Sequence, residues 1–168
     1  MKPTLLLLAA ALLMPACGGA ASPADQVSAA RAAIQSRDYT EAESLAASAS
    51  AAATKAGDTA TALTADKLRL EALAGQGDGE KVSDELTKAF SAHAGKLDAA
   101  FCAKLVGMVD AAGDTLGAIA VLDKGSKQFP GSKDKFEAAL AMLTEKAKAA
   151  SAAGDSAAIE RLKALGYL

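Results

Sequence analysis

Few side chains in this 168-residue chain are able to do covalent or acid–base chemistry: two cysteines, Cys17 and Cys102, and one histidine, His93. A thiol reacts as thiolate, which needs a cation or a helix N-terminus nearby to lower its pKa. The basic residue nearest to Cys102 is Lys104, two positions on in a helical stretch and therefore on another face. Cys102 thus reads as a small buried hydrophobe. His93 follows Leu86 by seven residues and Phe90 by three, on the same helical face. Metal sites need two or more ligands at fixed spacing, so His93 reads as a core-edge or interfacial histidine. Serines are plentiful, yet no Gly-x-Ser-x-Gly elbow occurs and His93 has no acid in a triad arrangement. The run Gly75-Gln76-Gly77-Asp78-Gly79-Glu80 has the glycines of a phosphate-cradling loop, but no strand precedes it and Lys81 is followed by Val82 rather than Ser or Thr. It reads as a turn. Glu41 with Glu43, and Asp84 with Glu85, read as solvated helix faces rather than paired catalytic carboxylates. The expectation is a non-catalytic protein without cofactor or metal.

Cys17 has different surroundings. It follows Lys2, an apolar run from Leu5 to Met14 and Pro15-Ala16, and precedes Gly18-Gly19. One early positive charge, a short apolar run and small residues form a three-part secretory signal. The run is too short to span a bilayer, which takes about 20 apolar residues. The junction Leu13-Met14-Pro15-Ala16-Cys17 resembles the bacterial lipobox, with apolar Met14 three before the cysteine and small Ala16 immediately before it.

The resemblance to bacterial lipoproteins implies that residues 1–16 are a cleaved signal peptide. Cys17 is then the lipidation site and mature N-terminus, carrying a diacylglyceryl thioether and an amide-linked acyl chain such as palmitate. Several acyl chains anchor stably where one binds only marginally. Gly18, in place of Asp, implies the periplasmic side of the outer membrane. The other reading is ordinary secretion: cleavage at Gly18-Gly19-Ala20 discards Cys17 and leaves a periplasmic or secreted protein without an anchor. In neither case do the cysteines form a disulfide framework.

The remaining chain fits one domain. Hydrophobic residues make up 51% and aromatics only 4%, so the core must be built from Ala, Leu, Val, Ile and Met. That favours closely approaching helices. The formal charge is −2. This balance predicts no basic patch, and neither nucleic-acid binding nor electrostatic adhesion to anionic lipid is expected.

Residues 17–23 form a short tether, with a reach on the order of 10–15 Å by flexible-coil scaling. Ser22 is placed as an N-cap, with Pro23 in the first helical position, and residues 24–168 form the helical domain. Asp38, Asp78, Asp114 and Asp155 each sit in a short turn, at intervals of 40, 36 and 41 residues. Glycine precedes the last three, and Arg37 precedes the first. A left-handed glycine ends one helix and the following Asp caps the next. Apolar stripes at helical spacing flank every turn, among them Leu63, Leu70 and Leu73; Val82, Leu86 and Ala89; Leu105 and Val109; Ile119 and Leu122; Leu140 and Leu143. Further turns at Gly57-Asp58, Gly95 and Pro130-Gly131 give eight helices in four antiparallel pairs, with no stretch of strand-like alternation.

This pattern resembles the tetratricopeptide repeat. Arg37-Asp38-Tyr39-Thr40-Glu41-Ala42-Glu43 looks like that family's turn and second-helix start. Phe101 through Pro130 is similar to a whole unit, with Cys102, Leu105 and Val109 at first-helix packing sites, Ala118, Leu122 and Gly125 at second-helix sites and Pro130 at the closing proline. The unit spacing exceeds the family's 34 residues, and Val106 stands where a small residue is usual. The resemblance implies an all-α fold of antiparallel hairpins stacked as a short solenoid of about four helix pairs. An irregular helical bundle is the other architecture the pattern allows. The resemblance also implies a protein or peptide of the cell envelope as partner, bound through first-helix residues that include Ala100, Ala103, Gly107 and Asp110. The competing class is a small-ligand receptor or enzyme accessory protein. At the C-terminus, Gly166 is expected to stop the last helix and let Tyr167 and Leu168 fold back on it.

Overall fold

A computed structural model describes residues 21–168; the signal peptide, Cys17 and most of the tether lie outside these residues. Eight α-helices make up the described chain: α1 Pro23–Gln35, α2 Tyr39–Ala56, α3 Thr59–Gln76, α4 Gly79–Ala92, α5 Ala99–Ala111, α6 Thr115–Gln128, α7 Lys133–Ala152 and α8 Ala157–Ala164. No strand occurs among the described residues, and no helix among them is long and apolar enough to cross a membrane.

Their boundaries follow from capping. Ser22 and Asp25 form a reciprocal capping box at the start of α1, which begins on Pro23. Asp38, Asp58, Asp78, Asp98 and Asp114 cap the next five helices, each side chain accepting from the backbone amide three residues on. Gly57 and Gly77 close α2 and α3 in the left-handed conformation. In the first turn Arg37 takes that conformation instead, at φ 63°. The last turn departs from the expected pattern. Ser156 rather than Asp155 stands at the N-cap of α8 and its side chain makes no cap bond, while Asp155 Oδ1 accepts from the Ala157 amide at 3.1 Å.

Besides pairing with its sequence neighbour, α3 packs on α1 and on α5, and α5 packs on α7. Likewise α6 packs on α4 and on α8. The second helix, α2, is lodged chiefly between α1 and α3. Two kinds of core result. From α3 to α8 it is built on Leu70, Leu73, Leu86, Leu105, Ile119, Leu122, Leu143 and Leu162, all fully buried. Around α1 and α2 the buried stripe is mostly alanine, with Ala30, Ala42, Ala46, Ala49 and Ala65 fully enclosed. Alanine crossings let helix axes come to the near end of the usual 8–10 Å range, which is how a poorly aromatic sequence encloses a core.

A backbone-to-backbone approach joins α4 to α6. A Cβ placed on Gly117 would lie 2.6 Å from the Cα of Gly79, so only glycine fits at this crossing. Asp114 bridges the same point: its Oδ1 accepts from the Gly117 amide at 2.8 Å, capping α6, and its Oδ2 accepts from the Gly79 amide at 3.0 Å, at the start of α4. One carboxylate therefore satisfies orphan amides of two helices.

Candidate functional site

Among the described residues, those whose types suggested chemistry, Cys102 and His93, are held in structural roles. Cys102 is fully buried in α5, its Cβ close under Gly125 of α6. Burial, with a smaller contribution from the Asp98 charge, pushes its thiol up to about 12, which keeps it protonated and poorly nucleophilic. His93 closes α4, and its Nε2 lies 2.7 Å from Asp66 Oδ2 of α3, with the imidazole 9% exposed. It is an interfacial residue tying the end of one helix to the middle of another. Gly75 lies beneath the ring of Tyr39, Gly77 ends α3 and Asp78 caps α4, so the glycine-rich run is a turn. The Lys81 ammonium, 2.8 Å away, holds the Asp78 carboxyl below its ordinary range.

One member of each acidic pair is engaged, while Glu41 and Asp84 are exposed. Glu43 accepts from Gln76 Nε2 at 3.0 Å, and Glu85 takes Arg69 at 2.8 Å and Lys88 at 2.7 Å. Among the described residues no cluster of three or more His, Cys, Asp or Glu side chains is arranged to hold a metal ion.

Of the four residues expected on a binding face, Ala100 is exposed and Ala103 and Gly107 are half-buried. Asp110 is not available to a partner. It is 4% exposed, with both carboxylate oxygens 2.8 Å from Lys146 Nζ of α7 and Oδ1 3.1 Å from Thr115 Oγ1. The correction has a plain cause: a carboxylate in the α5–α7 interface is satisfied only by pairing there, and Lys146 lies 36 residues away, beyond any local pattern.

A groove of about 450 Å³ runs between α1 and α3. Arg31, Ile34 and Gln35 line one wall and Thr64, Lys67, Leu68 and Glu71 the other, positions that three- and four-residue spacing brings onto one face of each helix. Buried Leu68 and half-buried Ile34 form the floor. Lys67 extends over the ring of Phe101, 5.4 Å from its centroid. Glu71 is paired with Lys104 of α5 at 2.7 Å. Arg31 and Lys67 pair with no carboxylate of the described residues. The groove is thus locally basic in a chain of net negative charge. Composition alone did not foretell this, because the charge balance of a chain says nothing about which of its charges share a face.

A second cavity, about 620 Å³, lies between α6, α7 and the C-terminal tail. Leu122, Phe136, Leu140 and Leu165 supply its apolar wall, and the Tyr167 hydroxyl closes one side 2.6 Å from Ser126 Oγ. Left-handed Gly166, at φ 78°, turns the chain so that the Tyr167 amide donates to Leu162 O at 3.0 Å. Tyr167 therefore folds back as expected, whereas Leu168 stays 52% exposed. No protein-family model, curated protein or solved structure matches the chain.

Proposed function

We propose that the protein is a non-catalytic, membrane-anchored lipoprotein of the bacterial cell envelope, a tetratricopeptide-like interaction module or assembly subunit that binds a protein or peptide partner. The observation that carries this reading is the α1–α3 groove, an open, part-apolar trough formed by neighbouring helix faces. The packing of α3 on α1 and α5, of α5 on α7, and of α6 on α4 and α8 supports the stacked-hairpin reading. The lipobox-like junction before Cys17 supplies the anchor, and Gly18 the outer-membrane address.

Two experiments test the two halves of the proposal. Metabolic labelling with palmitate should mark the wild-type protein and not Cys17→Ser; label retained by the variant refutes lipidation at Cys17. A photo-crosslinking amino acid at Gln35, on the groove wall, should give a discrete adduct in intact cells that the same group at Lys148, on the exposed side of α7, does not. Equal adducts from both positions, or none from either, refute the groove.

The alternative is a periplasmic or secreted receptor for a small ligand, favoured by the 620 Å³ cavity, whose volume suits a drug-sized molecule. Filling that cavity should protect Tyr167 from iodination.

A further inference from the structure

The charges around the α1–α3 groove identify the chemistry of its occupant. Three cations, Arg31, Lys67 and Lys104, face it or border it, against the single carboxylate of Glu71, which Lys104 already neutralises at 2.7 Å. Arg31 and Lys67 are left to act outward from opposite walls, with the aliphatic floor of Ile34 and Leu68 between them. Gln35 and Thr64 add neutral hydrogen-bonding groups at the edge. Lys67 is steadied by the face of Phe101, 5.4 Å away, so less of its side-chain freedom is lost on binding.

We infer that this groove seats an acidic segment of a partner protein, an aliphatic side chain of that segment resting on Ile34 and Leu68 while flanking carboxylates meet Arg31 and Lys67. The inference rests on the interaction-module reading and adds the partner's chemistry. An anionic lipid surface fits less well: polybasic lipid-binding patches carry about 4–8 Lys or Arg side chains on an accessible face. Here two unpaired cations flank a recess of about 450 Å³, the volume of a few side chains rather than of a flat headgroup layer. Arg31 favours a carboxylate, which its planar fork meets with two parallel hydrogen bonds.

The test is fluorescence anisotropy on the full chain, purified from membranes in a non-ionic detergent, with short labelled peptides of sequence Glu-Glu-Leu-Glu-Glu and Lys-Lys-Leu-Lys-Lys. Saturable binding of the acidic peptide, weakened by salt, is expected, with no binding of the basic one. The double variant Arg31→Glu/Lys67→Glu should bind the acidic peptide at least about tenfold more weakly, and should gain binding of the basic peptide. Arg31 is exposed and Lys67 half-buried, and an unchanged melting temperature shows that the variant is folded.

Equal binding of both peptides, undiminished binding of the acidic peptide by the double variant, or no binding of either overturns the inference. Complete displacement of the acidic peptide by phosphatidylglycerol vesicles, but not by phosphatidylcholine vesicles, overturns it in favour of a lipid surface. The crosslink from Gln35 separates this failure from failure of the broader reading: a discrete adduct in cells, with no acidic-peptide binding by the purified protein, leaves the module standing with a different partner chemistry, and loss of both removes both.

Discussion

Two residues carry costs or shifts large enough to measure. Arg37 is the non-glycine residue with positive φ among those described, in the turn position where the later units have glycine. A side chain in the left-handed region costs about 1–3 kcal/mol, and glycine recovers most of that while giving up some through the unfolded chain. Arg37→Gly should therefore stabilise the protein by about 1 kcal/mol in urea unfolding, with an unchanged m-value. Cys102 gives a pH signature. Its thiol sits at about 12 in the folded protein against an ordinary value of 9.0. Its contribution to stability is complete below the unfolded value, shrinks as pH rises above about 9, where only the unfolded thiol ionises, and is gone by the folded value. Wild type should lose more stability across that alkaline window than Cys102→Ala does, and native Cys102 should resist thiol reagents that label it in denaturant. The burial of Cys102 was legible from its place on a helical apolar stripe. That of Asp110 was not, because its partner Lys146 belongs to another hairpin, and periodicity reports faces without reporting what stands opposite them.

Between helices, the Asp-capped turns show what sequence can and cannot convey. Capping by Asp38, Asp78 and Asp114 follows from turn chemistry, and the structure has each of them accepting from the amide three residues on. The second bond of Asp114, to the Gly79 amide of α4, depends on α4 and α6 being neighbours, which no local pattern states. Asp114→Ala removes the α6 cap and the bond to the Gly79 amide at once and should cost about 2 kcal/mol in chemical denaturation, more than Asp98→Ala, which loses a cap alone. Gly117→Ala forces the α4–α6 crossing apart and should cost about 2–3 kcal/mol by the same measurement. A variant as stable as wild type would show that the crossing can spread freely.

For the whole molecule, the all-helical class and the eight segments followed from periodicity and turn residues. The order of packing, and the basic groove that it creates on an acidic chain, follow from what stands opposite what across more than 30 positions: Arg31 and Lys67 on facing walls, and Glu71 paired with Lys104. The C-terminal tail is similar. Left-handed Gly166 was foreseeable from a glycine after the last apolar stripe, but the hydrogen bond between Tyr167 and Ser126 spans 41 residues. Deleting Gly166 to Leu168 removes that bond and the ring packing, and should lower stability by about 2 kcal/mol and the melting temperature by roughly 4–8 °C in calorimetry. An unchanged melting temperature would mean that the tail only rests on the surface.

The forked acceptance by Asp114 also has a kinetic meaning. The amides of Gly79 and Gly117 are 38 positions apart in the chain, yet both are held by the same carboxylate, at 3.0 and 2.8 Å. Rotation of that one side chain frees both protons. Their deuterium uptake should therefore rise together and by the same factor when Asp114 is replaced, so that two distant turns exchange as a single unit.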